Sequence, residues 1–323
     1  MGDVSQKNGN ACELQVTNEF INFDRYPRAQ DWLRQLGYPP EVVESVEVVD
    51  TSKTKGTYTL SSKTGKSFQL YPVKFSKTDR KIIVTVVGKA GAKYSELISI
   101  KSCQSDNGMG CPPQHIARSK LETYIHQWSR YNQWTDEVKI GLALLVGLSH
   151  DYLMPEANRY RDRPITDRAL LDDFYTKSLR ERLLKVGDIS SLYSSAVLSF
   201  INANKIAIIL DALKGRGGLS AEWLLLISGS CTDETKKATA KLVNINDAVN
   251  KLASPDFEVN RSATAYSTST AGITIKRYGG SSSGKGAPLS DEEKFRQGSA
   301  LQIHLKISEL FAGDVPIVDW STI

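Results

Sequence analysis

The order of predicted secondary structure is the feature that most constrains this 323-residue chain. Between Val42 and Ile100, short runs of β-branched and aromatic residues are separated by turn residues, a pattern typical of hairpins or a meander. After Pro112-Pro113, apolar residues recur at helical spacing. Strands and helices do not alternate, which argues against a doubly wound nucleotide-binding sheet. We predict a mainly α protein with an N-terminal β-hairpin or meander module.

Residues that start and stop helices locate the predicted helices. Thr135 is a good N-cap, and Asp136 and Glu137 in the first turn complement the helix dipole. The predicted helices cover residues 31–36, 116–131, 135–148, 166–186, 189–213, 221–227, 232–252 and 290–311.

Three parts follow from this pattern. Residues 1–40 are predicted to hold a flexible N-terminal arm and a short helix. Residues 41–187 form an N-terminal lobe that begins with the β module at 42–100. Residues 188–323 form a C-terminal helical lobe with a mobile Ser/Thr/Gly-rich loop at 262–290 and an apolar C-terminal tail. The predicted architecture is two-lobed.

Composition excludes several classes of protein. No run of about 18 apolar residues occurs, so no membrane insertion is expected. The polar N-terminus lacks the apolar stretch of a secretory signal. Four cysteines are too few for a disulfide scaffold and suit a reducing compartment.

Charge is distributed unevenly although the net charge is only +5. Residues 1–50 carry 4 basic and 9 acidic side chains, whereas residues 51–100 carry 10 basic and 2 acidic ones. A basic segment of this kind attracts phosphate groups, and it is also typical of solvated strands whose edges are protected by lysine.

The strongest nucleotide-binding pattern is Gly279 to Lys285, which fits G-x-x-x-x-G-K. Gly286 replaces the Ser or Thr that would hold magnesium, and Pro288 interferes with the helix that should follow. A flexible loop is therefore the preferred interpretation. Cys103, Cys111, His115 and His126 lack the close spacing of a zinc knuckle. We predict no catalytic residue, no metal and no cofactor.

Basic side chains form separated clusters that could together line one cleft. Arginine presents a planar fork to phosphate, and lysine acts as a point charge. The residues predicted to contact nucleic acid are Lys74, Lys77, Arg80, Lys81, Arg159, Arg161, Arg163, Lys185, Lys276, Arg277, Lys285, Arg296 and Lys306.

Three segments carry a family resemblance. They are LALLVGLSHDYLMPEANRYR at 142–161, DISSLYSSAVLSFINANKIAIILDALKGRGGLSAEWLLLI at 188–227 and, more weakly, SSSGKGAPLS at 281–290. In order and character they resemble nucleoproteins of rhabdovirus-type negative-strand RNA viruses. The chain departs from that family because it lacks an arginine at the opening of the C-terminal lobe, and because Gly286-Ala287-Pro288 replaces the serine after the loop lysine.

The resemblance implies two lobes that clamp single-stranded RNA. Arg159 and Arg161 match the family's basic segment, Lys285 matches its loop lysine, and Lys306 matches a basic residue on the next helix. We therefore predict a non-enzymatic nucleoprotein that binds RNA through backbone phosphates in a basic cleft between the lobes. It would polymerise into a helical nucleocapsid.

The predicted partners and location follow from this function. Subunits would self-associate into rings or filaments by exchanging the terminal arm and loops, and a viral polymerase or phosphoprotein would be a further partner. The location would be the virion and the host cytoplasm. Three alternatives stay open: a coat protein of a filamentous or rod-shaped positive-strand RNA virus, a P-loop-like nucleotide-binding enzyme that uses Gly279 to Lys285, and a structural interaction protein whose basic β module binds an acidic protein.

Overall fold

Two β-sheets, with helices packed against them, form the described part of the chain. The computed structural model describes residues 2–51, 58–61, 67–70, 77–87, 91–103, 114–146, 189–215, 220–231, 239–260, 265–268, 272–277, 300–306, 310 and 318–319. All statements about the structure refer to these residues.

Seven α-helices and thirteen strands lie within the described ranges. The helices are α1 (Gly2–Ile21), α2 (Pro27–Gln35), α3 (Leu121–Trp128), α4 (Asp136–Leu145), α5 (Ser191–Ala203), α6 (Lys205–Leu213) and α7 (Ile245–Leu252). The strands are β1 (Val43–Asp50), β2 (Tyr58–Ser61), β3 (Ser67–Leu70), β4 (Arg80–Val86), β5 (Ala92–Cys103), β6 (Gln114–Lys120), β7 (Trp223–Ser228), β8 (Thr239–Asn244), β9 (Phe257–Asn260), β10 (Ala265–Thr268), β11 (Ile273–Arg277), β12 (Ala300–Leu305) and β13 (Val318–Asp319).

The first sheet is mixed and has six strands in the order β1-β4-β5-β7-β8-β13. Its one parallel pair joins β5 to β7, with Lys101 opposite Leu226, and its other neighbours are antiparallel. The second sheet is antiparallel and has five strands in the order β6-β12-β11-β10-β9. The strands β2 and β3 pair separately as a hairpin.

Two hydrophobic cores cover opposite faces of the first sheet. Leu225 and Ile227 of β7 belong to the small core, which α1 and α2 close. Leu224 and Leu226, which point the other way, belong to the large core together with helices α3 to α7 and the inner face of the second sheet. Successive side chains of a strand alternate between its faces, so β7 lies between both cores.

The predicted fold class, a mainly α two-lobed architecture, is wrong. The error came from strands that are buried on both faces, since such strands are nearly continuous apolar runs and resemble buried helices. The segment predicted as a helix at 221–227 contains β7, all but one of whose residues are buried. The segment predicted as a helix at 290–311 contains β12, whose Leu301, Ile303 and Leu305 alternate into the large core.

Two further helix predictions are wrong in part. The segment at 116–131 begins as the end of β6, and helix α3 starts only at Leu121. The segment at 232–252 contains β8 before helix α7 starts at Ile245. There the Asn244 side chain accepts a hydrogen bond from the Asn246 main-chain N–H at 2.9 Å, which caps α7.

Other local predictions have mixed outcomes. Strands are present between Val42 and Ile100, and Thr135 caps α4 by accepting a hydrogen bond from the Val138 N–H at 3.4 Å. The segment predicted as a flexible arm is part of helix α1. Within the described residues no single helix is long and apolar enough to cross a membrane; α5 and α6 together have that length and composition but are bent by 70°.

The cysteine pattern also departs from the expectation. Cys12 on α1 and Cys231 after β7 form a disulfide across 219 positions of sequence. The buried side chain of Asn8 reinforces this connection by accepting a hydrogen bond from the Cys231 N–H at 2.9 Å. Helix α1 is therefore fastened to the segment that follows the central strand of the first sheet.

Candidate active site

A carboxylate at the start of β4 collects three hydrogen bonds from the adjacent strand β5. The Asp79 Oδ2 atom accepts from the Ser99 hydroxyl at 3.1 Å, from the Ile100 main-chain N–H at 2.7 Å and from the Lys101 ammonium at 3.4 Å. The Lys101 ammonium also donates to the Ile100 carbonyl at 3.0 Å. We call Asp79, Ser99 and Lys101 the Asp79 cluster.

The strands fix the backbone of this cluster. The Asp79 main-chain N–H donates to the Ile98 carbonyl at 2.8 Å, and its carbonyl accepts from the Thr51 N–H at 3.2 Å. Along β5, Ile98 and Ile100 enter the small core, so Ser99 and Lys101 project from the opposite face. The Asp79 cluster therefore lies on the face of the first sheet that is turned toward the second sheet.

The cluster is shielded from solvent but not closed. The side chain of Asp79 is 11% exposed and that of Lys101 is 26% exposed. Opposite charges at 3.4 Å in such surroundings interact more strongly than they would in water. A substrate group that reaches the cluster would meet a carboxylate and an ammonium whose positions are already fixed.

The neighbouring residue Arg80 supports the site from the other face of the sheet. Its buried guanidinium donates to Asp50 Oδ1 and to Thr17 Oγ1, each at 3.0 Å, and forms an ion pair with Glu13 Oε2 at 3.1 Å. It also donates to the carbonyl of Asp79 at 2.9 Å. Arg80 was predicted to bind RNA phosphates, whereas its charge is used to join α1, β1 and the backbone of the site.

Glu13 on α1 carries a second carboxylate, whose charge interacts with the charges of the cluster. Burial raises the pKa of Glu13 above its usual value, and the negative charge of Asp79 raises it further. The positive charges of Arg80 and Lys101 lower the same pKa to a smaller extent. Glu13 is therefore electrostatically coupled to both charged members of the Asp79 cluster.

The edge of the second sheet lies next to the site. The Lys77 ammonium donates to the Ile116 carbonyl at 2.8 Å, and Lys77 precedes Asp79 by two residues. Ile116 is the extra residue of a β-bulge, because Ala117 pairs with Ile303 while His115 pairs with His304. Bulges are frequent beside active sites, where they redirect the strand.

The carboxylate oxygens of the site are the groups that could hold a divalent cation such as Mg²⁺. The described residues hold no group of three or more His, Cys, Asp or Glu side chains that could hold a metal ion. Magnesium, however, is commonly held by one or two carboxylates, with waters and substrate phosphate completing its coordination. Asp79 is an oxygen donor of that type, and its carboxylate fits such an ion.

Sequence reasoning missed every residue of this site. Thr78-Asp79 was interpreted only as a turn and Ser99-Ile100 only as the end of a strand, while Lys101 was assigned no role. The available signal was the pairing of the two strands around the turn at Gly91, which sets Arg80 opposite Ile98. An acidic residue before one strand and a lysine near the end of the next were thereby brought together.

The structure describes only some of the thirteen residues predicted to bind nucleic acid. Seven of them lie outside the described residues: Lys74, Arg159, Arg161, Arg163, Lys185, Lys285 and Arg296. Lys77 and Lys81 lie near the Asp79 cluster, since Lys81 follows Arg80 and alternates to the face that carries Ser99. Lys276 and Lys306 lie on or beside strands of the second sheet. On β11, Arg277 lies on the same face as Ile275, which packs in the large core. Burial lowers the pKa of Arg277.

Comparisons with known proteins found similarity to two restriction endonucleases. The model of the R.HinP1I restriction endonuclease family matches residues 173–293, which is less than half of the chain. A crystal structure of the restriction endonuclease MspI with its cognate DNA is similar at 13% identity and a TM-score of 0.45, over 94% of this chain and 91% of that one. No curated protein matches the chain.

The family match overturns the resemblance to viral nucleoproteins. Two of the three segments behind that resemblance, 188–227 and 281–290, fall inside the matched range. The predicted nucleoprotein function, the single-stranded RNA partner, the virion location and the absence of enzymatic activity are all wrong. The alternatives of a coat protein and of a P-loop-like enzyme do not fit the match either.

Proposed function

We propose that this chain is a DNA endonuclease and that the Asp79 cluster is where it hydrolyses the phosphodiester bond. The observation that carries the proposal is the convergence of Ser99, Ile100 and Lys101 on one carboxylate oxygen of Asp79. The match to a restriction endonuclease family supports the substrate class. Its range, 173–293, includes β7, which pairs directly with the strand that carries Ser99 and Lys101.

Hydrolysis of a phosphodiester requires stabilisation of the negative charge in the transition state rather than a covalent intermediate. Water attacks phosphorus and loses a proton as a new P–O bond forms, and the P–O bond to the leaving oxygen breaks. The leaving oxygen takes up a proton, and negative charge builds on the phosphoryl oxygens in the transition state. The Lys101 ammonium is held by Asp79 and by the Ile100 carbonyl, so it is placed in advance to neutralise that charge. The Ser99 hydroxyl and the Ile100 N–H fix the direction of the Asp79 carboxylate.

A divalent cation fits the same place. Asp79 would hold it, and waters and a phosphate oxygen of the substrate would complete its coordination. Such an ion supplies Lewis acidity and lowers the pKa of a bound water. The three described donors to Asp79 all reach Oδ2, and Lys101 compensates part of the carboxylate charge from the β5 side.

Cleavage of a supercoiled plasmid in the presence of Mg²⁺ or Mn²⁺ tests the proposal. Wild-type protein should nick or linearise the plasmid, and Asp79→Asn should lower the rate by at least about 100-fold. Asp31→Asn on the exposed surface of α2 is the matched control and should cleave like wild type. Circular dichroism should show that both variants fold. Absence of cleavage by the wild type with either ion, or full activity of Asp79→Asn, would overturn the proposal.

A further inference from the structure

The N-terminal half of helix α1 has a sequence that does not favour a helix by itself. It contains Asn8, Gly9 and Asn10 in succession, and glycine and asparagine are weak helix formers. Such a short segment stays helical only while the rest of the protein holds it. The contacts that hold it therefore decide whether this half of α1 is ordered.

The segment after β7 supplies these contacts. The disulfide joins Cys12 of α1 to Cys231. One helical turn before Cys12, the Asn8 side chain is 1% exposed and donates to the Gly229 carbonyl at 3.4 Å. Its Oδ1 atom accepts from the Ser230 hydroxyl at 3.4 Å and from the Cys231 N–H at 2.9 Å. The disulfide is therefore the covalent part of a local anchor for this half of α1.

The C-terminal half of α1 does not depend on this anchor. Val16 and Phe20 are fully buried in the small core. The carboxylate of Glu19 is also buried and forms an ion pair with Arg28 of α2. Loss of the disulfide should therefore loosen only the part of α1 that precedes Val16.

That part of α1 includes an ion pair that supports the Asp79 cluster. Glu13 follows Cys12 directly, and its Oε2 atom lies 3.1 Å from the Arg80 guanidinium. The same guanidinium donates to the Asp79 carbonyl at 2.9 Å. Opening of the N-terminal half of α1 therefore removes a partner from the arginine that holds the backbone of Asp79.

The N-terminal half of α1 also covers strand β5. A Cβ atom on Gly9 would lie 3.6 Å from Ser102 Oγ, so the helix lies against the residue that follows Lys101. The neighbouring strand β7 pairs with β5 and sets Leu226 opposite Lys101. The disulfide thus joins two elements that both contact the strand carrying Lys101.

The two sulfur atoms differ in exposure. Cys12 is fully buried and Cys231 only partly buried, so an external thiolate approaches the Cys231 sulfur. Its attack forms a mixed disulfide with Cys231, breaks the bond to Cys12 and releases Cys12 as a thiolate, which takes up a proton. The second thiol of a dithiol then displaces Cys231. The protein disulfide is reduced to two thiols, and the dithiol is oxidised to a disulfide.

We propose that the Cys12–Cys231 disulfide is a redox switch of the candidate active site. In the oxidised protein it holds Glu13 against Arg80, and the Asp79 cluster is in its active geometry. Reduction by a dithiol opens the N-terminal half of α1 and slows cleavage, and a disulfide oxidant reverses both changes. This inference rests on the proposed function, because it names a regulation of the same site.

The test compares three preparations of the full chain: oxidised, reduced with dithiothreitol, and reoxidised with oxidised glutathione after the dithiol is removed. Reduction should lower the rate of plasmid cleavage with Mg²⁺ by at least about tenfold, since small displacements of catalytic groups have large effects on rate. Reoxidation should restore the rate. Hydrogen exchange of the Asp79 and Ile100 amides, which donate to the Ile98 carbonyl and to Asp79 Oδ2, should become faster on reduction.

Three variants separate the switch from a general loss of stability. Cys231→Ser should cleave like the reduced wild type in all three preparations. Gly9→Ala strengthens the helix and should make the effect of reduction smaller, by up to about fivefold. Gly141→Ala on α4 is the matched control, because it lowers stability away from α1 and should keep the redox response of the wild type.

The outcomes for the switch and for the endonuclease are distinguishable. Equal cleavage by the oxidised and reduced wild type would overturn the switch and leave the endonuclease in place, and so would a redox response that persists in Cys231→Ser. Absence of cleavage in every preparation would overturn the endonuclease. Amide exchange then decides the link between the disulfide and the Asp79 cluster: faster exchange on reduction keeps it, and unchanged exchange overturns it.

Discussion

The Lys101 ammonium lies 3.4 Å from the Oδ2 atom of Asp79, and the two residues belong to neighbouring segments of one sheet. Asp79 is fixed to the Ile98 carbonyl through its own N–H, so the pair is held by backbone as well as by side chains. Its geometry therefore depends on strand register rather than on a loop.

Replacement of Lys101 should affect chemistry more than binding. Lys101→Met removes the charge that neutralises the phosphoryl oxygens and should lower the cleavage rate by about 100- to 1000-fold. Single-turnover cleavage of a labelled duplex measures the effect, and Lys205→Met on α6 is the matched control. Retention of the wild-type rate by Lys101→Met would exclude Lys101 from the reaction.

Replacement of Arg80 should destabilise the protein. Arg80 is buried and pairs with Glu13, which is 24% exposed, and with Asp50, which is 49% exposed, so Arg80→Met leaves a partly buried carboxylate without its partner and should cost about 1–3 kcal/mol. Arg34→Met breaks the exposed pair with Asp31 and should cost less than about 1 kcal/mol. Urea unfolding monitored by tryptophan fluorescence gives both values. Equal effects would show that burial does not set the importance of Arg80.

Stability should depend on pH through Glu13. In the folded protein burial raises the pKa of Glu13 above 4.5, so the folded state keeps a proton that the unfolded state has already lost. Stability from this group is present below the unfolded pKa and is lost as pH rises through the folded pKa. The Glu13→Gln variant should thus gain stability relative to wild type between about pH 4 and pH 7. An opposite shift in urea unfolding would mean that the Arg80 ion pair dominates.

Removal of the disulfide should lower stability without changing the fold. Cys231→Ser opens the link to Cys12 across 219 positions and should cost about 2–4 kcal/mol. Reduction of the wild type with dithiothreitol should produce a similar loss in urea unfolding, and reduction of Cys231→Ser should produce none. An equal loss in the variant on reduction would show that the link is not the origin of the effect.

Gly141 allows α4 and α5 to approach closely. A Cβ atom there would lie 2.5 Å from Val197 Cγ2 and 2.8 Å from the Tyr193 carbonyl oxygen, so Gly141→Ala should cost about 1–3 kcal/mol. Gly9→Ala on α1 meets only Ser102 Oγ at 3.6 Å and should stabilise the protein by up to about 1 kcal/mol. Thermal melting of both variants tests the contrast, and equal melting temperatures would contradict it.

Local signals predicted part of the fold correctly. The Thr135 cap and the strands between Val42 and Ile100 depend on neighbouring residues, and the structure confirms both. The strands β7 and β12 were missed because their burial depends on elements that are distant in sequence. Nothing within WLLLIS distinguishes a strand between two cores from a helix in one core.

The candidate site could not be predicted from the sequence for a related reason. Asp79 and Lys101 are separated by 22 positions, and only the register of β4 with β5 brings them together. Basic residues were predicted to form the site because clusters of charge can be recognised in the sequence. Arg80, however, proved to be buried among carboxylates, and its charge stabilises the protein instead of facing a ligand.

The parallel pairing of β5 with β7 has a consequence for how the chain reaches its structure. The segment that connects these strands contributes β6 to the second sheet, whose other strands all follow β8. Each sheet therefore forms only when residues from both halves of the polypeptide pair with each other, and such non-local pairing slows folding.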